Sequence, residues 1–393
     1  MRILAIGSMY PPHYLGGQEL LWRDAVRHQR AAGHDVRVLT TDYRRDDAGE
    51  ELDDDVHREL RWYWRDHAWP HLSRLERLAL ERHNARVLDR HLAELRPDAV
   101  AWWALGGMSL SLLERVRRSR VPGLGVVCEN WMVYADEVDA WMRLWARLRP
   151  VRAVAATLLR MPTRFEPGRA ARWIFISEHI RRRALEHRNL PDTAVIHPGV
   201  DRTRFAEREP RPWGRRLLYM GRIDPRKGID IAVRAVAGLP SGATLTIDGW
   251  GDEGHLRELR ALVTSLGLGD RVSFQRSPRE RLAGVYAEAD AVLFPVRWDE
   301  PWGLVPLEAM AVGRPVVGTG RGGSGEYLRE GENCLLFDPD EGGPAALAAA
   351  VRRLGEDEEL REHLRAGGLA TAAGLTEDAF NDALLRELEA LAS

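Results

Sequence analysis

The chain has 393 residues, more than one hydrophobic core usually organises, and so predicts two domains. Its apolar content of 45% is enough for two ordinary cores, and a formal net charge of -2 excludes a global pull toward nucleic acid or a membrane, leaving any basic patch local. The two cysteines, Cys128 and Cys334, lie far apart with neither a Cys-x-x-Cys pair nor zinc-like spacing; this argues against a disulfide framework and fits a reducing cytoplasm.

The opening "MRILAIGSMYPP" reads as a first buried strand rather than a signal peptide, since its apolar run is short and no small-residue cleavage site follows. No apolar run is long enough to predict a transmembrane helix. After "RILAIG" come a helix over 19–32 stopped by Gly33 and a strand "DVRVLT". Further strands are "DAVAWW", "GLGVVCE" and "RWIFIS". The second half repeats this alternation, with "RRLLYMG", a helix over 229–239, "ATLTIDG", a helix over 253–266, then "RVSFQ", "AVLFP" and "PVVGT". An Ala-rich helix near 344 precedes a last segment, 376–393, with Thr376 as its N-cap. Strands alternating with helices predict an α/β protein with parallel sheets covered on both faces. The boundaries expected are 1–196 for a first Rossmann-like domain, 197–375 for a second, and 376–393 for a terminal helix, with its return to the first domain left open by the sequence. Ligands in this class sit beyond the carboxyl ends of strands, and with two domains the expected site is the cleft between them.

The stretch "DEPWGLVPLEAMAVGRPVV", residues 299–317, carries the most chemistry. A strand ends at Pro295, a loop follows, and Gly303 opens a helix that Gly313 stops, with Pro306 tolerated in the first turn. The free amides of Gly303, Leu304 and Val305 at that N-terminus favour a phosphate. Glu300 and Glu308 flank it; a phosphate repels carboxylates, but carboxylates accept hydrogen bonds from hydroxyls. A sugar on each side of a phosphate is the form of a nucleotide-sugar. Two surface glutamates on a solvated helix is the competing reading of this stretch alone. Arg222 and Lys227 in "YMGRIDPRKGID" follow a strand and together can neutralise a diphosphate without a metal. In the first half Gly16 and Gly17 precede a helix, where backbone could approach a diphosphate; a flexible turn is the alternative.

In that order, "GRIDPRKG", "IDGWGDE" and the block 299–317 resemble the retaining family-four glycosyltransferases of the GT-B fold, as do the Gly-Gly loop and "IHPGVD" at the domain junction. The resemblance implies two Rossmann-like domains and a nucleotide diphosphate sugar as co-substrate, with no metal and no other cofactor. It implies that Arg222 and Lys227 hold the diphosphate and Glu308 the ribose. Glu300 would contact the transferred sugar with the amides of Gly303 and Leu304, while Gln275 and Arg276 lie where the base is held. Gly322 and Gly323 in "GRGGSGE" match a family loop, with a structural role expected. Many members carry a His-Asp pair after a first-domain strand, where this chain has "VVCENWMVY". Glu129 and Asn130 stand there instead; either suits a sugar hydroxyl, Glu129 could serve as base, and both could merely end the strand. His13 is a further polar candidate for the acceptor.

The function expected is transfer of a sugar to an acceptor hydroxyl on a glycan, a lipid-linked sugar or a small natural product, with retention of anomeric configuration. A donor-binding protein without catalysis is the alternative. A dehydrogenase would need Gly-x-Gly-x-x-Gly after a first strand, and a glycosidase would not need Arg222 and Lys227. Asp53-Asp54-Asp55 matches a metal-binding pattern but reads as a solvated loop. "WYWRDHAWP", 62–70, reads as core in preference to an acceptor lid. Residues 143–172 are Arg-rich, and two readings stay open: solvated helix faces, or contact with an anionic acceptor or lipid. No nucleic-acid partner is expected, and the expected location is cytoplasmic, with peripheral membrane contact through 143–172 if the lipid reading holds.

Overall fold

The computed structural model describes residues 1–46, 48–64 and 68–393. They form two compact units, Met1–His197 with Asn381–Ser393, and Pro198–Phe380.

The first unit is built on strands β1 (Arg2–Gly7), β2 (Asp35–Thr41), β3 (Val56–Leu60), β4 (Ala99–Trp102), β5 (Gly123–Val127), β6 (Arg172–Phe175) and β7 (Thr193–Val195), in the spatial order β3-β2-β1-β4-β5-β6-β7. Every pairing is parallel. The second sheet holds β8 (Arg216–Met220), β9 (Thr244–Asp248), β10 (Val272–Gln275), β11 (Ala291–Phe294), β12 (Val316–Gly318) and β13 (Leu335–Leu336), in the order β10-β9-β8-β11-β12-β13, again all parallel. The central strands β4, β5 and β11 are buried along their whole length, as expected for a sheet covered on both faces. The α/β class and the two Rossmann-like sheets read from the sequence are therefore correct.

Edge strands β3, β7 and β13 were not expected. Val56–Leu60 reads "VHREL", Thr193–Val195 "TAV" and β13 has two residues. An edge strand has one neighbour and one wetter side, so it needs no continuous apolar run. Helices over Arg74–Leu95 and Trp131–Val138 also add to the first unit. Thr376 does cap the last helix: its Oγ1 accepts from the Ala379 amide at 3.2 Å.

In each sheet the strand order reverses at one place, between β1 and β4 and between β8 and β11. Loops that leave neighbouring carboxyl ends in opposite directions open a crevice there. In the second unit those loops are 221–228 and 295–303, which carry Arg222, Lys227 and Glu300. Both cysteines are buried, and burial raises both thiol pKa values, Cys334 to about 12.

Candidate active site

At the β8/β11 reversal the second unit gathers a charged group. Lys227 Nζ donates to Glu300 Oε2 at 2.6 Å, and the indole N–H of Trp298 donates to the same oxygen at 2.7 Å. The lysine and glutamate side chains are 16% and 12% exposed, so this pair is largely shielded from water. The face of Trp298 also carries cations: the Arg226 guanidinium lies 4.5 Å from the ring centroid and the Lys227 ammonium 5.4 Å. Asp224 accepts from Arg226 Nε at 3.0 Å and Nη2 at 2.7 Å, and from Arg222 Nη2 at 3.2 Å. Burial works against the Asp224 charge, but the hydrogen bonds and charge of Arg226, with the charge of Arg222, outweigh it and hold the carboxyl at about 2. The Arg222 side chain remains 39% exposed. Below the loop, buried Tyr219 donates its hydroxyl to the Arg222 carbonyl at 2.9 Å, fixing the backbone that presents the arginine.

The helix Leu304–Val312 begins beside this group. Its first amides, Leu304 and Val305, have no carbonyl one turn earlier, and Pro306 has no N–H to offer. Gly303 sits just before them at φ 86°, and a Cβ there would lie 2.9 Å from Phe294 Cζ. The tight turn aims the helix N-terminus, and Tyr327 donates its hydroxyl to the Gly303 carbonyl to lock it. Gly322 is needed for a different reason: a Cβ there would be 2.4 Å from the Glu300 carbonyl, which also accepts from the Gly323 amide at 2.7 Å. Both glycines thus brace the backbone of Glu300, the structural role expected of them.

Glu308 lies on the same helix, half-buried, and accepts from the hydroxyl of fully buried Tyr286 at 2.6 Å. Burial raises its pKa; the Tyr286 hydrogen bond and the charges of Arg279 and Arg204 act in the opposite sense. Gln275 ends β10, where its Nε2 donates to buried Asp248 at 2.8 Å, and the Arg276 guanidinium lies 5.4 Å from the Trp250 ring centroid. Gln275 closes the strand and Arg276 follows it, at the carboxyl end the base-binding expectation names, but each already has a partner within the unit.

The first unit places its candidates around β1 and β5. Gly16 precedes the helix Gly17–Ala31, so Gly17 belongs to that helix instead of preceding it, a correction to the expected start at residue 19. The Gly16 amide donates to the buried Glu19 side chain at 2.9 Å and is therefore spoken for. A Cβ on Gly17 would meet nothing within 4 Å. His13 accepts from the Arg45 amide through Nδ1 at 3.0 Å, which places its own proton on Nε2. Burial and the charges of Arg58, Arg44 and Arg45 hold its pKa down, so the ring is neutral.

Glu129, just beyond β5, accepts from the Tyr134 hydroxyl at 2.6 Å. Burial pushes its carboxyl up to about 7, with the Glu19 charge adding to the rise and the Tyr134 hydrogen bond opposing it. Asn130 Oδ1 is buried without a hydrogen-bond partner among the described residues.

The Asp53–Asp55 stretch lies in a loop with Asp54 and Asp55 exposed, as expected, while Asp53 is shielded. The Asp53 side chain is 8% exposed and accepts from Arg27 Nε at 2.8 Å, while Asp55 pairs with Arg37 at 3.1 Å and His57 at 2.7 Å. Nearby, His57, Glu59 and His91 bring ligand-type atoms within 4.8 Å of one another. Guanidinium nitrogens of Arg37 and Arg90 lie 3.4 Å from the two ring nitrogens of His91, positions a cation would need, so this group is an ion-pair network. Of the Trp-rich stretch, Trp62 and Tyr63 are core and Trp69 is 45% exposed; residues 65–67 lie outside the described residues.

Sequence reasoning overlooked Trp298, Asp224, Arg226, Tyr286 and Tyr134. Asp224 and Arg226 stand inside the quoted "GRIDPRKG" and could have been found there. Tyr134 likewise closes the quoted "VVCENWMVY", five residues after Glu129, whereas Tyr286 lies on a separate helix 22 residues before Glu308 and no spacing marks it.

The family profile described as Glycosyltransferase Family 4 matches residues 15–204, and that described as Glycosyl transferases group 1 matches 201–370. The chain belongs to the family-four glycosyltransferases. The two matched regions of this glycosyltransferase meet at residues 201–204, beside the start of the second unit at Pro198. It is 34% identical over 206 residues to a D-inositol 3-phosphate glycosyltransferase of Thermomonospora curvata, covering 50% of this chain and 47% of that one. The chain thus spans about half the length of that relative. A glycogen synthase of Mycobacterium tuberculosis is 29% identical over 401 residues, covering 91% of this chain and 86% of the relative. Among solved structures, Anabaena HepE in complex with UDP and glucose superposes with a TM-score of 0.74 at 20% identity, all of both chains being covered. That likeness shows the fold, GT-B.

Proposed function

We propose that this chain transfers a sugar from a nucleotide diphosphate donor to an acceptor hydroxyl with retention of anomeric configuration. The observation that carries the reading is the group at the β8/β11 reversal: Lys227 held on Glu300, Arg222 held on Asp224, and the open N-terminus of the helix Leu304–Val312 beside them. Cations paired to carboxylates are poised for exchange. A diphosphate entering there takes the guanidinium of Arg222 and the ammonium of Lys227, and Glu300 is left facing the sugar hydroxyls. Glu308, with one oxygen on Tyr286, presents its other oxygen to the ribose.

As the bond between the anomeric carbon and the diphosphate oxygen breaks, negative charge grows on the leaving phosphate. Fixed cations and helix amides stabilise it where it develops, without reorganisation. The acceptor oxygen bonds to the anomeric carbon on the face the diphosphate leaves, and its proton passes to a phosphate oxygen of the departing group. No protein base and no metal are needed in this scheme. The relatives' names support transferase chemistry, and the UDP and glucose bound to HepE make uridine diphosphate the first nucleotide to try.

The test is a melting-point screen against uridine, guanosine, adenosine and thymidine diphosphates, since a ligand of the folded state raises the melting point. A donor assay with sugars of the stabilising nucleotide follows, with Arg222→Ala and Lys227→Ala. We expect one nucleotide to stand out, turnover of its sugar with or without chelator, and loss of turnover in both variants with melting preserved. Binding with neither transfer nor donor hydrolysis would favour the donor-binding alternative. Activity lost to chelator and restored by magnesium or manganese would overturn the metal-free scheme.

A further inference from the structure

The first unit carries a helix that the described residues cover only in part. Arg152–Leu159 reads "RAVAATLL", and none of its residues is buried. Ala155 and Leu159, one turn apart, rest partly against the core. On the adjoining flank of the same face, Val151, Val154 and Leu158 are 52%, 61% and 77% exposed, in the i, i+3, i+7 pattern. Leu148, 37% exposed, extends the stripe. Four of the chain's large exposed hydrophobic side chains thus fall within residues 148–158. The others among the described residues, Leu52, Trp69, Leu75 and Leu185, are spread along the sequence.

Charge accompanies the stripe. Residues 140–165 contain six arginines and no acidic residue. Arg147, Arg149 and Arg160 are exposed and make no ion pair among the described residues; Arg164 reaches out of the segment to Glu166 at 2.9 Å. Apolar side chains shown to water beside uncompensated guanidiniums fit a surface that offers both hydrocarbon and phosphate. Arginine stems can lie along the apolar layer while their heads take phosphates bidentately.

We infer that residues 147–160 form a peripheral docking surface for an anionic lipid bilayer. The stripe enters the boundary between headgroups and acyl chains, and Arg147, Arg149, Arg152 and Arg160 pair with lipid phosphates around it. No helix of the described residues is long and apolar enough to cross a membrane. This inference stands apart from the transfer reaction, because binding needs no donor.

The test is flotation of the full chain with vesicles of phosphatidylcholine alone and of phosphatidylcholine mixed with phosphatidylglycerol, at low and high salt. We expect the chain to float with the anionic vesicles only, and to be released by salt. The double variant Val154→Ser, Leu158→Ser should lower partitioning about tenfold or more. The triple variant Arg147→Gln, Arg149→Gln, Arg160→Gln should lower it on the order of a hundredfold, at roughly 1 kcal/mol per basic residue near the surface. Melting point and nucleoside diphosphate affinity should stay at parental values, since none of these side chains is buried or part of the proposed site. Failure to float with anionic vesicles, equal binding to neutral ones, or binding indifferent to both variants overturns the inference. So does a dimer in sedimentation velocity that the double variant dissociates, which would make a second copy the cover.

Discussion

Glu308 accepts from Tyr286 through one oxygen, and no protein donor among the described residues reaches the other. In Glu308→Ala the ribose and Tyr286 both lose an acceptor. Diphosphate affinity should fall by about 1.5–3 kcal/mol, roughly tenfold to a hundredfold, and the melting point should drop as well, because a buried hydroxyl is left unpaired. Calorimetry separates the two effects: a lower melting point with unchanged affinity would leave Glu308 serving Tyr286 alone. Trp298 is a positioning residue under the proposed function, since it acts through Glu300. Trp298→Phe keeps an aromatic face for Arg226 and Lys227 but removes the indole N–H that orients Glu300. We expect kcat to fall about tenfold or more while diphosphate affinity holds, a split that steady-state kinetics with calorimetry would detect. Equal loss in both would mean that Trp298 supports the whole loop.

At the scale of elements, the helix Gly17–Ala31 gives a case where stability and binding should move in opposite directions. Gly17 lies in the first turn, and an added Cβ meets nothing within 4 Å. Gly17→Ala should therefore stabilise the fold, by about 0.4–1 kcal/mol, through a less flexible unfolded chain. If the helix start approaches a diphosphate, the same methyl should weaken nucleotide affinity. A melting point that rises with affinity unchanged would remove Gly17 from the donor site. Elements were legible in the sequence where burial demanded it: β4, β5 and β11 are apolar throughout because both their faces are covered. The edge strands were not, because water on one side relaxes the pattern. The site followed the same logic. Arg222, Lys227, Glu300 and Glu308 stood out because strand ends and a helix start frame them. Their partners Trp298 and Tyr286 did not, because an aromatic residue in a loop or on a helix reads first as core.

For the whole molecule, two carboxyls carry opposite pH sensitivities, Asp224 and Glu129. Asp224 in the second unit is held at about 2, below its unfolded range, so the stability it contributes is present above about pH 4 and is lost as pH falls toward 2. Glu129 in the first unit is raised to about 7, so its contribution is present below its unfolded pKa and is lost as pH rises through 7. Buried Glu81 and Asp139 in the first unit are raised by burial in the same sense. Glu129→Gln keeps an acceptor for Tyr134 but removes the charge. Its melting point should exceed the parent's at about pH 8.5, by the equivalent of roughly 2 kcal/mol, with a much smaller gap at about pH 5. Melting curves at the two pH values check this, and a constant gap would mean that Glu129 does not titrate there. In the proposed scheme the diphosphate takes the acceptor's proton, so the variant should also retain transfer with its acid limb in place.

The two cysteines lend themselves to spectroscopy. Cys128 and Cys334 are buried, and their thiols are held protonated well above neutral pH. Since the thiolate is the reactive form, neither should take up a maleimide readily in the folded chain. A dye-labelled cysteine introduced by Leu158→Cys could therefore be followed against a silent native background. Its emission would report whether that position leaves water when vesicles are added.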